Sequence, residues 1–130
     1  MKNGKVANIK VSRKSLLLRW LEITKPFHKL PNQQLNVLWL LLYYYFEYQK
    51  DITNDIVLWK MVFDYDTKLK IRDELGIKDG NFQNVLTSLR KKNIITDNKI
   101  VNTYIPNLEN DSSNFKVIFN FIIADDEQEA

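Results

Sequence analysis

There is no cysteine among the 130 residues, which removes both a disulfide framework and a thiolate zinc site and is compatible with a reducing, intracellular setting. Glycine occurs only as Gly4, Gly76 and Gly80, too scattered to assemble a loop that cradles phosphate. The one histidine, His28, has no Cys or Asp at ligand spacing, so a surface or capping role is expected of it rather than metal binding. With a single histidine and no serine in a nucleophile-elbow motif, a catalytic triad has little to be built from. No enzyme activity, metal, cofactor or small-molecule substrate is therefore expected. The longest apolar run, Val37 to Phe46, is about half a bilayer span. The first twenty residues carry Lys2, Lys5, Lys10, Arg13, Lys14 and Arg19 and lack the apolar region of an export signal. The chain reads as soluble and cytoplasmic, without membrane contact.

What is present is one domain's worth of core: 45% of the residues are hydrophobic, enough for a single globular unit at this length. The net charge of +3 is modest but unevenly spread. Residues 1–21 hold six positive charges and no negative one, whereas Asp125, Asp126, Glu127 and Glu129 crowd the other end. A basic arm suits contact with phosphates, and an acidic tail suits shielding of a basic site or contact with a partner; solvated ends would look the same. Lys, Asn and Ile supply 42 residues and Ala only three, the composition of an AT-rich gene from a low-GC bacterium or its phage.

Along the chain, residues 1–11 read as a basic arm, 12–123 as the domain and 124–130 as an acidic tail. Leu16, Leu17, Trp20, Leu21 and Ile23 share one helical face, with Ser12 or Ser15 as N-cap. Residues 26–31, bracketed by Pro26 and Pro31, read as a linker. A helix follows from Asn32, taken as its N-cap, to about Lys50. Only Asn36 and Glu47 mark a polar stripe on it, so it must be covered on more than one side. The cover comes from the first helix, from residues 52–63 or from a second subunit, and a homo-oligomer or protein partner on the aromatic stretch from Trp39 to Tyr48 is one expectation. The tyrosines there could also stack on bases, although their apolar setting favours core or interface. Residues 52–63 read as a short helix followed by an extended stretch near Val62 to Asp64.

Next, Thr67 is expected to cap a short helix containing Leu69, Ile71 and Leu75, which Gly76 ends. A helix over 79–93 carries Phe82, Val85, Leu86 and Leu89 at spacings of three and four. Only Gly76, Ile77 and Lys78 join the two, the length of the turn in a helix-turn-helix. After a turn at Asp97 and Asn98 come two β-rich segments, 99–105 and 115–123. The second alternates Phe115, Val117, Phe119 and Phe121 with Lys116, Ile118, Asn120 and Ile122, the period of a strand. Residues 106–114 are the loop between them.

The stretch Lys70-Ile71-Arg72-Asp73-Glu74-Leu75-Gly76-Ile77, followed at 81–95 by Asn-Phe-Gln-Asn-Val-Leu-Thr-Ser-Leu-Arg-Lys-Lys-Asn-Ile-Ile, resembles the winged helix-turn-helix of bacterial and phage regulators and replication proteins. In that pattern a short helix ending in Leu-Gly-Ile precedes one ending in Leu-x-Lys-Lys-Gly-Ile-Ile. The resemblance implies an α+β, mainly α fold: a winged helix-turn-helix with an extra N-terminal helix and a C-terminal β-hairpin wing. It implies a DNA-binding role with double-stranded DNA as partner, the second helix entering the major groove. Asn81, Gln83, Asn84, Ser88 and Lys91 would then face outward, amides toward adenine and Lys91 toward phosphate or guanine. Thr67, Lys68 and Lys70, with Lys78 in the turn, would hold phosphate. Between Thr67 and Asn93 seven residues are positive and three negative, although Arg90, Lys91 and Lys92 also suit a helix C-terminus.

The Asp64-Tyr65-Asp66 triplet reads as helix-capping charge rather than a cation site. The expected wing tip carries Glu109 and Asp111, with no Lys or Arg between Lys99 and Lys116, and phosphate would repel it. An alternative is therefore a phage virion structural or assembly protein that uses the same fold for protein contacts.

Overall fold

The structure, a computed structural model, describes residues 6–108 and 114–125. It is mainly α-helical with one small sheet. Six helices follow in order, α1 (Arg13–Ile23), α2 (Lys25–His28), α3 (Asn32–Gln49), α4 (Asp55–Val62), α5 (Tyr65–Leu75) and α6 (Asp79–Lys91), and then the strands β1 (Ile95–Thr96) and β2 (Lys99–Ile100). No helix among the described residues is long and apolar enough to cross a membrane.

Helix α3 is the axle. From 34 to 49 no residue is fully exposed, because α1, α4, α5 and α6 all pack on it. Val37, Leu38, Leu40, Leu41 and Leu42 have no solvent exposure at all. Side chains that point in nearly every direction find neighbours in every direction, so both in-chain sources of cover expected from the sequence are used together. Each such burial stabilises by about 1.5–3 kcal/mol. The helix begins at Asn32 itself, with Pro31 in the extended cap position (φ −60°, ψ 156°) and no side-chain cap bond.

The remaining helix starts follow local hydrogen bonding. Ser12 accepts from the Ser15 N–H at the head of α1, and Asn54 accepts from Val57 at the head of α4. The expected extended stretch at 62–64 shrinks to one residue, Asp64, whose carboxylate caps α5 by accepting from the Thr67 N–H at 2.9 Å. On α1, Leu17 and Leu21 are buried while Ile23 is exposed. The span between Pro26 and Pro31 is not a plain linker but contains the turn α2, and His28 there is buried, not a surface residue. Its Nδ1 accepts from the Leu30 N–H at 3.1 Å, and its Nε2 lies 2.7 Å from the Leu21 carbonyl. Those partners require the proton on Nε2, so the ring ties the end of α1 to the entry of α3.

The two-stranded sheet corrects the expected hairpin. Its strands are two residues each, paired antiparallel as Ile95 with Ile100 and Thr96 with Lys99. Asp97 and Asn98 form the turn with φ of 54° and 52°, the left-handed pair that a two-residue hairpin demands. Beyond Ile100 the chain leaves the extended form for a 3₁₀ turn, Asn102–Tyr104, because Trp20 on α1 donates its Nε1–H to the Tyr104 carbonyl at 3.1 Å. The segment 115–123, expected as the second wing strand, is not one: 114–125 carries no regular structure. Its alternation suits a strand, but among the described residues no strand lies beside it to complete a ladder. Glu109 and Asp111, the acidic residues assigned to the wing tip, fall outside the described residues, as do residues 1–5 of the arm and 126–130 of the acidic tail.

Candidate nucleic-acid interface

Helix α5 ends where Gly76 turns left-handed (φ 64°) and the Ile77 N–H returns to the Arg72 carbonyl at 3.1 Å, closing the helix by the usual glycine route. Lys78, extended at φ −79° and ψ 158°, then opens α6. The corner is tied a second time by the Arg72 guanidinium, 3.4 Å from the Asp79 carboxylate. At the far end of α6, Asn93 takes φ 59° in the place where the resembled pattern carries glycine.

Helix α6 is split lengthwise. Phe82, Val85, Leu86 and Leu89 are buried, and Ile94 and Ile95 continue that contact into β1. Asn81, Gln83, Asn84, Thr87, Arg90 and Lys91 are exposed, and Ser88 is half-exposed. With 3.6 residues per turn, Gly80, Asn84, Thr87 and Lys91 lie along the centre of the outward face. Asn81 and Ser88 flank it on one side, Gln83 and Arg90 on the other. The five residues expected to point outward from α6 thus share one surface, and Lys78 adjoins its start. Thr87 and Arg90 belong there too. Thr87 was missed because it was never placed on the wheel, although its spacing of three from Asn84 and four from Lys91 contained the signal.

The face carries positive charge. From 80 to 96 there is no acidic residue, and Asp79, the acid at the head of the helix, faces Arg72 and accepts a long 3.5 Å hydrogen bond from Gln83. Lys92 is turned away, its Nζ 2.6 Å from Gln34 Oε1 on α3. Arg90 and Lys91 have no side-chain partner among the described residues, so complementing the helix dipole is compatible with contact to an external anion.

Thr67 does not belong to the site. The α5 helix starts two residues before it, so Thr67 sits inside the first turn and is only 1% exposed. Its Oγ1 donates to the Met61 carbonyl at 2.7 Å, and it lies 2.7 Å from the Tyr48 hydroxyl. Since Thr67 Oγ1 gives its proton to Met61, the Tyr48 hydroxyl donates to it. Every polar group of Thr67 is committed to joining α3, α4 and α5, and none is left for phosphate.

Lys68 and Lys70 are separated by the same helix. Two residues on a helix differ by about 200° around its axis. Lys68 therefore lies on the flank of Arg72, which faces the corner with α6. Lys70 lies on the opposite flank, 5.9 Å above the Tyr44 ring, beside the pair of Lys14 and Glu74. There Lys14 Nζ is 2.8 Å from Glu74 and 4.8 Å above the Tyr43 ring. Its hydrogen bond to Glu74 holds the ammonium above the ordinary lysine pKa of 10.5. Desolvation raises the hydroxyl pKa of Tyr44 and Tyr45. The tyrosines are engaged with one another and with the core: Tyr43 meets Tyr44 edge-on at 5.2 Å, and Tyr45 stacks on Trp59 at 4.5 Å.

The hairpin contributes little positive charge beside α6. Asp97 occupies its tip, and Lys99 reaches 3.6 Å toward Asp55 of α4. Comparison with family models, with curated proteins and with solved structures found no match to this chain.

Proposed function

We propose that this chain is a winged-helix module that binds duplex DNA, with α6 as the helix that enters the major groove. The observation that carries the reading is the division of α6: all of its large apolar side chains face inward, while from Gly80 onward its exposed face is amide, hydroxyl and positive charge, the one acid of the helix, Asp79 at its head, being set beside Arg72. Helix, three-residue corner, helix and hairpin follow in the order of a winged helix. Asn81, Gln83 and Asn84 supply paired donor and acceptor groups that match the adenine edge. Lys68, Lys78, Arg90 and Lys91 surround them with charges for phosphate. The hairpin tip, closed by Asp97 and only two residues long, stays off the backbone, because a carboxylate there meets like charge.

Titration of random and mixed-sequence duplexes at two salt concentrations tests this. Affinity should fall steeply as salt rises, with Lys91→Ala lowering it for every sequence and Asn84→Ala removing preference between sequences. Absence of binding, or binding insensitive to salt, would count against the reading. A second reading, an assembly protein of a phage particle, is favoured by the exposed apolar segment at 117–123, a surface suited to protein rather than nucleic acid.

A further inference from the structure

Among the described residues, the segment after Phe115 carries the densest run of uncovered apolar side chains. Phe121, Ile122 and Ile123 are 84%, 86% and 95% exposed, and Ile118 is 73% exposed. Phe115 anchors it by packing edge-on to Trp20 at 5.9 Å, and the chain beyond makes no backbone hydrogen bond among the described residues. Ten successive residues, Lys-Val-Ile-Phe-Asn-Phe-Ile-Ile-Ala-Asp from Lys116 to Asp125, thus combine high strand propensity with an unpaired ladder on both edges. Unpaired N–H and C=O groups beside β-branched and aromatic side chains are a template for another strand.

We infer that residues 116–125 pair antiparallel with the same residues of a second copy, forming a two-fold strand interface. Charge selects that arrangement. The segment begins with Lys116 and ends with Asp125, so running two copies in opposite directions brings each lysine end beside its counterpart's aspartate end, whereas a parallel pair would stack like charge on like. In the two-fold register centred on Asn120, Val117 meets Ile123, Ile118 meets Ile122 and Phe119 meets Phe121, so apolar side chains oppose apolar ones along the strand. Asn120, the one uncharged polar residue of the segment, falls on the axis opposite its own copy. The interface shares no residue with the outward face of α6 and is independent of the DNA reading. It also shares no residue with the aromatic stretch of α3 from Trp39 to Tyr48.

Light scattering coupled to size exclusion, run on the full chain over a concentration series, should give a closed dimer. Because Phe119 and Ile122 are substantially exposed, Phe119→Lys and Ile122→Lys leave the helical body intact, which circular dichroism verifies. Each should weaken the dimer by at least about a hundredfold, since both copies lose the apolar contact. Lys116→Glu should weaken association several-fold, and adding Asp125→Lys should restore it. The chain has no native cysteine, so Asn120→Cys gives a clean reporter: mild oxidation should yield a covalent dimer, and the exposed Ser15→Cys on α1 should not. A monomer at every concentration overturns the inference, as do a dimer indifferent to Phe119→Lys or growth into open-ended assemblies. If the double charge exchange fails to restore association, the antiparallel register is wrong.

Discussion

The two longest helices teach opposite lessons about apolar residues. Helix α3 is apolar nearly all round and lies at the centre, touched by α1, α4, α5 and α6. Helix α6 is apolar along one side only, and the other side is left to water. Both bury leucines completely, Leu41 on one and Leu86 on the other, so burial alone does not distinguish them. What distinguishes them is how much of the circumference is spoken for. A helix covered everywhere stabilises the fold and has nothing left to present; a helix covered on one side can stabilise the fold and still carry a second task.

Substitutions can break or sharpen that contrast. The largest effect belongs to the axle: Leu41→Ala should lower unfolding free energy by about 2–5 kcal/mol in urea denaturation, through lost transfer energy and the cavity left behind. Thr87→Ala on the outward face of α6 should stay within about 0.5 kcal/mol of the parent. Equal losses at the two sites would erase the distinction.

Thr67→Val examines the junction at which α3 meets α4 and α5. It removes the hydrogen bond to the Met61 carbonyl and leaves the Tyr48 hydroxyl without its acceptor, so a loss of about 1–3 kcal/mol is expected in the same assay. It should leave DNA affinity unchanged among folded molecules, because this hydroxyl lies inside. A selective loss of binding without loss of stability would return Thr67 to the surface chemistry expected from its sequence position.

For α6 the order reverses. Asn84→Ala should reduce discrimination between duplexes by about 1–3 kcal/mol while unfolding stays within experimental scatter. If the melt shifts and base preference does not, Asn84 is a structural residue.

The smallest effect is alkaline. Lys14, Tyr44 and Tyr45 all have pKa values raised in the folded protein, so the folded state holds these protons more tightly than the unfolded chain. Whatever Lys14 contributes through Glu74 is present below 10.5 and fades as pH climbs through its higher folded value; ionising either tyrosine above 10 disfavours the folded state. The melting temperature should be flat with respect to these groups from pH 7 to 9 and drop above about pH 10. Tyr44→Phe should make that drop shallower, by removing one of the protons released.

Much of this architecture was readable from local pattern. Ser12, with Ser15 as its alternative, was visible as a capping residue, Gly76 as a left-handed stop and Asp97-Asn98 as a turn, because each acts through bonds to neighbours in the chain. The inward set of α6 and its outward amides followed from spacing alone. Thr67 was misread because a hydroxyl before an apolar run looks like a cap, and only the earlier start of α5 reveals that Asp64 already fills that role. Its bonds to Met61 and Tyr48 join residues that no spacing rule connects.

By itself, then, the order of residues determined that α1, α3 and α6 are helices and which side of α6 is greasy, since those depend on contacts within about one helical turn. Only the tertiary structure decided who covers whom. It wrapped α3 in four neighbours from the same chain, set Lys70 and Lys68 on opposite flanks of α5, and left 116–125 with no strand to pair with among the described residues. A helix satisfies its own backbone, whereas a strand borrows hydrogen bonds from elsewhere, and no amount of alternation in 115–123 could say whether that elsewhere exists.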